Sequence, residues 1–445
     1  MIASVGRMMR KGGGGLAWPA GMKEHIKAWY DPKKQKLTNY DVIESYTEDF
    51  TSNNWKHTNN VTVTSNSFRL TYGNLTYELY PIKDYNTKPM TVIVKGLVGI
   101  KGFIRYRYGQ KDYIDINKDG VYYLPAKVDD VTVLGFQTHF KSECDITITQ
   151  LPTSILKDFS GNGNHAYLYG GKGKLNSGMG VYQTDFTTWS KTNFDVHPEY
   201  IIATNGNNNL TLYGVKINSI NVEIKGYNDK VNFLRLGYNN NDGVYKELNI
   251  SNDGIYTIPG SSLAQEGRLC SISLSLKEDT KITITQIPDY PDQLCYDGKM
   301  YAVAYDMPIL TDYTVMAERT WFEKEEYSAF ISNSLGGMEE PNNDAFCVEI
   351  KSLNSFTTSS FGSLTSIGIP EKGITYQTKQ SYNGNSINVG TKESNDILIL
   401  GGRYFYKNDN AAGNTWNGCH GAIIVADRSF TEEEINWLKD NLFRK

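Results

Sequence analysis

The sequence predicts an all-β protein: a β-sandwich scaffold that carries two inserted β-sandwich repeats and ends in a short helix. Three observations predict it. A segment occurs twice, from Tyr46 in YTEDF to Pro152 in ITITQLP and from Tyr182 in YQTDF to Pro288 in ITITQIP, in copies of equal length. Apolar and polar residues alternate in Ile146-Thr-Ile148-Thr and Ile282-Thr-Ile284-Thr, the pattern of a strand with one buried face. Asp119-Gly120, Asp242-Gly243 and Asp253-Gly254 stand between such runs, as hairpin turns do.

Order within the copies makes chance a poor explanation of the repeat. VIVKG at Val92–Gly96 answers VEIKG at Val222–Gly226, Phe103-Ile-Arg-Tyr answers Phe233-Leu-Arg-Leu, and NKDGVYYLP answers SNDGIYTIP. Units of this length with many short strands are most simply jelly-roll sandwiches. At 445 residues the chain has room for about two to four domains.

A glycine-rich basic arm, 1–20, comes first; its Arg7, Arg10 and Lys11 are the candidate contacts with an assembly. The repeats occupy 46–152 and 182–288, leaving 21–45, 153–181 and 289–445. The first two of these pieces are too short to fold alone, so insertion of both repeats into one discontinuous sandwich is preferred to beads on a string. The last piece reads as strands from Tyr313 through Ile397-Leu-Ile-Leu400 to Ala422-Ile-Ile-Val425. A helix follows. Thr431 and Glu434 form its capping box, Phe430 and Ile435 its hydrophobic staple, and Ile435, Leu438 and Leu442 its apolar face.

Composition excludes several classes. A net charge of −4 argues against nucleic acid as the partner, because phosphate neutralisation needs a basic face. No run of about 18 apolar residues exists, so no membrane-spanning helix is expected. The N-terminus lacks an apolar stretch suited to a secretory leader. Five cysteines without CxxC spacing, Cys144, Cys270, Cys295, Cys347 and Cys419, read as free thiols of a protein made in a reducing cytoplasm.

Catalytic patterns are missing as well. There is no E-x-D-x-x-E triplet for a sandwich glycosidase, no HExxH and no G-x-S-x-G, so a non-enzyme is expected. Gly161-Asn-Gly163-Asn-His-Ala166 fits a dinucleotide pattern but has no βαβ unit around it. Asp115, Asn117 and Asp119 match the first half of a calcium loop; Ala126 stands where the bidentate Glu belongs, so a hairpin turn is favoured over calcium, the one cofactor considered. Trp55 and Trp189, with Tyr108 and Tyr238, recur at equivalent places and are candidate platforms for a glycan. A duplicated Trp more often belongs to a core.

Two stretches carry a resemblance. Asp158-Phe-Ser-Gly-Asn-Gly-Asn-His165, with Trp416 through Ile435 containing Gly421, Asp427-Arg428 and the Glu-Glu-Glu helix start, resembles the opening and closing motifs of laminin-G-like, concanavalin A-like lectin domains. One departure is Phe430 where that family carries Leu. The resemblance covers the scaffold and implies a concanavalin A-like sandwich. By their own chemistry Asp158, Asn162, Asn164 and His165 are expected to fix a turn rather than to hold a ligand. Ile26-Lys-Ala-Trp-Tyr-Asp-Pro-Lys-Lys-Gln35 followed by Leu37-Thr-Asn39 is similar to virion proteins of tailed, crAss-like phages of gut bacteria. That likeness implies a virion surface protein (head fibre, capsid decoration or tail-associated fibre), held to other virion proteins by its arm. Its expected partners are copies of itself, in a trimer, and host or mucosal glycans. The alternatives are an architectural spacer, a bacterial lectin and a diverged glycan hydrolase.

Overall fold

The computed structural model describes residues 17–38, 43–128, 134–171, 178–213, 218–239, 244–260, 268–277, 280–335, 344–352, 355–368, 372–406 and 411–443. Arg7, Arg10, Lys11 and the Asp242-Gly243 turn lie outside the described residues. Among the described residues the chain is all-β, with six sheets and a short helix, Glu432–Leu438, near the end.

Each repeat is a five-on-five sandwich. In the first, one sheet runs Trp55–His57, Tyr77–Pro81, Gly135–Thr138, Ile104–Arg107, Tyr113–Ile116, and the other Val61–Val63, Ser67–Asn74, Lys141–Gln150, Met90–Lys95, Gly120–Leu124. The second follows strand for strand. Its sheets run Ser190–Thr192, Gly206–Tyr213, Arg268–Leu276, Val231–Asn239, Tyr245–Asn249 and Asp195–Val196, Tyr200–Ala203, Ile282–Ile287, Ile220–Lys225, Gly254–Ile258.

The recurring YxxDF and ITITQ motifs meet at the base of each module. Gln150 Oε1 accepts from the Glu48 amide at 3.1 Å and its Nε2 donates to the Glu48 carbonyl at 2.8 Å. Gln286 does the same to Thr184, at 3.2 and 2.9 Å. Both Asp49 and Asp185 cap the turn that follows by accepting from the amides of Thr51 and Thr187. Just outside each clasp the chain ends pair, Thr153 N–H with the Ser45 carbonyl and Asp289 N–H with that of Val181, both at 2.9 Å. Ends this close let a sandwich be inserted without prising the host open.

The scaffold draws its two sheets from stretches that the modules separate. Its smaller sheet joins Ile26–Tyr30, Gly178–Met179 and Leu294–Asp297 to the long strand Asn417–Ala426, then continues through Thr314–Trp321 and Lys372–Thr378. The larger runs Ile155–Leu156, Ala166–Tyr169, Tyr301–Ala304, Leu398–Leu400, Ala329–Leu335, Asp344–Ser352, Ser355–Ser360, Ser363–Ile367. Between them lies a core that includes Tyr30, Leu168, Tyr296, Tyr313, Phe346 and Trp416. The expected capping box at Thr431 and Glu434 is present. Phe430, Ile435 and Leu438 cover the outer side of the smaller sheet together with Met22, Trp29, Met316 and Ile424.

The modules do not sit alike on this scaffold. A separate apolar cluster joins the first module to the larger sheet: Ile93 and Leu151 from the module meet Tyr169, Val303, Tyr305, Ile397 and Ile399. Those scaffold strands are therefore buried on both faces, which is why Ile397-Leu-Ile-Leu400 shows no polar alternation. The second module's core cluster holds only its own residues.

Candidate ligand groove at the seam of the first module

Docking leaves a groove along the seam, built by period-two alternation on facing strands. On Met90–Lys95, Val92 and Val94 point into the module while Ile93 points at the scaffold. On the edge strand Gly120–Leu124, Tyr122 and Leu124 turn inward and Val121 packs on the seam. Tyr123 is left 62% exposed. On Ala166–Tyr169, Ala166 and Leu168 enter the scaffold core, so Tyr167 and Tyr169 face the module.

A cleft of about 240 Å³ results, with Thr47, Thr91, Tyr123, Thr153, His165 and Tyr167 around an apolar floor of Met90, Leu151, Pro152 and Ile155. Thr153 and Ile155 also line a wider cleft of about 530 Å³ bordered by Ser45 and Gln35. Tyr167 hydrogen-bonds Thr91 across the seam, and burial raises its phenol above the ordinary range. His165 Nδ1 accepts from the Asp158 amide at 3.0 Å, so the neutral ring carries its proton on Nε2. Behind the floor, Tyr169 and Tyr305 share a hydroxyl contact of 2.9 Å, and Tyr169 stacks on Tyr301 at 5.2 Å. Burial pushes the Tyr301 phenol up to about 12. These hydroxyls are held protonated. Aromatic faces beside neutral donors and acceptors can pack the apolar face of a sugar ring and bond its hydroxyls.

At the other end of the seam is a smaller cleft of about 210 Å³, where Asp119 and Lys95 of the module face Asp306 and Asp396 of the scaffold. Asp306 spans the junction, its Oδ2 accepting from the Val121 amide at 3.2 Å.

The candidates read from sequence fare differently. Trp55 and Trp189 are corrected to core residues, 5% and 3% exposed. Each stacks edge-on against the phenylalanine of its DF motif, at 5.2 and 5.4 Å. Their indole N–H groups donate to Glu48 and Thr184, so neither ring has a face for a sugar. Tyr108 and Tyr238 are half-buried against the same two cores. The calcium candidates are also spoken for. Asp115 forms a two-bond ion pair with Arg105, at 2.7 and 2.9 Å, and that guanidinium holds its carboxyl below the usual range. Asp119 accepts from the amides of Gly96 and Leu97, as Asp253 does from Tyr227. Asn117 is exposed. Among the described residues no group of three or more His, Cys, Asp or Glu side chains could hold a metal ion.

The SGNGNH loop is a clasp on the first scaffold strand. Asp158 accepts from the amides of Trp29, Ser160 and Asn164 and from the Ser160 hydroxyl. Asn162 and Asn164 donate to the carbonyls of Ile26 and Lys27 at 2.7 Å. Its last residue, His165, also lines the groove. Tyr123, Tyr167 and Thr91 were not singled out from sequence. A signal existed, since Tyr123 stands where the second copy has Thr257, and Ile93 where it has Glu223.

No family model matches this chain, and neither does any curated protein. Among solved structures, a Trypanosoma rangeli sialidase in complex with sialic acid is 9% identical over 86% of this chain and 83% of that one, with a TM-score of 0.26. The same sialidase with the inhibitor DANA gives 8% identity, coverage of 85% and 83%, and a TM-score of 0.25. A triple jelly-roll protein from the turret of an archaeal virus is 8% identical over 93% of this chain and 99% of that one, at 0.12. Likenesses at these TM-scores carry no argument about function. No helix among the described residues is long and apolar enough to cross a membrane.

Proposed function

We propose that this chain is a surface structural protein of a phage particle and that it adheres to host or mucosal glycans through the groove at the first module's seam. The observation that carries the adhesive part is the meeting of exposed Tyr123 with Tyr167, His165 and three threonine side chains over an apolar floor. The phage setting is supported by the motif resemblance at Ile26–Asn39 and Asp158–His165. Attachment through the basic arm and assembly as a trimer belong to the same reading.

The test is a broad glycan array probed with the purified full chain and with Tyr123→Ala, alongside adsorption by virions that lack the protein. Binding to a defined glycan class, weakened about tenfold in the variant, which equals about 1.4 kcal/mol, supports the reading. Failure to bind any glycan together with normal adsorption overturns it, as does cleavage of an arrayed glycan. The burial of Trp55 and Trp189 favours a second reading, an architectural spacer, and that first negative result would establish it.

A further inference from the structure

On leaving the second module the chain passes through Asp289–Gln293 and enters the short strand Leu294–Asp297. This strand pairs with Gly178–Met179, which leads into the module, and with the long strand Asn417–Ala426. Tension on the second module therefore reaches the paired strands Gly178–Met179 and Leu294–Asp297. Leu294 and Tyr296 belong to the scaffold core, so Cys295 faces the other side of the sheet. It is fully buried there, close to Tyr182 and Tyr290 of the neck. Its direct partner in the ladder is Cys419, also fully buried. Cys419 Sγ donates to Gln293 Oε1 at 2.9 Å, and Cys295 Sγ to the Gln293 carbonyl at 3.7 Å.

We infer that Cys295 and Cys419 form a disulfide once the chain meets an oxidising environment, stapling the strand that leaves the second module to the scaffold's long strand. Directly opposed residues of an antiparallel pair have Cα atoms about 4.5–5.5 Å apart, inside the range of about 4.4–6.8 Å that a disulfide spans. The other cysteines do not compete, because Cys144, Cys270 and Cys347 lie in three different sheets. With a low-molecular-weight disulfide as oxidant, one thiol gives up its proton and attacks a sulfur of the reagent, releasing one thiol. The second protein thiol then displaces the other half of the reagent. One S–S bond is broken and one made, and the reagent leaves as two thiols carrying the two protons and two electrons. Burial holds the Cys295 thiol well above its ordinary range. The attacking species is the thiolate, so closure is slow in the folded chain and proceeds as the neck opens.

The test incubates the full chain with oxidised glutathione or with a reductant, then alkylates free thiols under denaturing conditions for intact-mass and peptide analysis. Alkylated thiols should fall from the five free cysteines to three. A Cys295–Cys419 cross-linked peptide should appear, and the amides of Leu294–Asp297 should exchange more slowly in the oxidised chain. Cys419→Ser should abolish the cross-link. Five alkylated thiols after prolonged oxidation, glutathione adducts alone, or a cross-link through another cysteine would each overturn the inference. The wild-type measurement decides the matter even if the serine variant fails to fold.

Discussion

The two modules share one strand order and one clasp, yet among the described residues an apolar cluster joins the first to the scaffold and none joins the second. The difference lies on a single sheet face. Ile93 in the first module is 8% exposed and sits in the seam cluster. At the matching place Glu223 pairs with Lys225 at 2.8 Å, facing solvent. Val121 packs on the seam, whereas its counterpart Ile255 is 68% exposed. Duplication supplied two equal folds. A few outward-facing side chains then determined which became part of the scaffold, because apolar area is stabilising only where a facing surface removes it from water.

Calorimetry of the full chain should accordingly resolve two transitions, with the first module melting together with the scaffold and the second melting apart. Trp55→Ala and Trp189→Ala provide the strongest test. Each should cost about 3–5 kcal/mol, the former lowering the joint transition and the latter only the independent one. If both substitutions lower one common transition, the contrast between the modules fails.

Acid should separate the same two bodies. His420 is buried in the scaffold, its Nδ1 donating to the Gly421 carbonyl and its Nε2 accepting from Tyr296. Burial depresses its pKa from 6.5 to about 4. Below pH 6.5 the unfolded chain takes up a proton that the folded chain refuses, so stability falls until the folded pKa is reached. The loss approaches about 3 kcal/mol by pH 4. Denaturant unfolding from pH 7 to pH 4 should show this slope in the joint transition and a weaker one in His420→Gln. An equal slope in the variant would remove His420 as its cause.

Exchanging the outward residues probes the seam itself. Ile93→Glu places an unpaired charge in a dry contact and should cost about 2 kcal/mol, with faster amide exchange in Tyr301–Ala304. The reverse change, Glu223→Ile, lies on an open face and should shift stability by no more than about 0.5 kcal/mol. A large effect from Glu223→Ile would mean that the second module's face is covered in solution.

Much of the architecture was legible because its signals are local. Alternation in ITIT marks strands with one dry face, Asp-Gly marks turns, and Thr431 with Glu434 marks a helix start, each through contacts within a few residues. The candidate site was not legible in this way. Trp55 and Trp189 carry a correct sign of importance, but exposure depends on what packs opposite, and their partners Phe50 and Phe186 cover them. Tyr123 and Tyr167 lie on different bodies and become neighbours only through docking. His165 came closest, since its motif was visible. Its place beside the groove was not.

By itself the sequence determined the β class, a duplication too regular for chance, and the helix with its cap, because periodicity and turn chemistry act over short chain separations. Only the tertiary structure decided which aromatic rings are core, that Asp115 pairs with Arg105, and that an apolar cluster joins the first module to the scaffold. Those outcomes depend on which surfaces face each other across long stretches of chain, where burial and charge pairing are set by neighbours that no local pattern names.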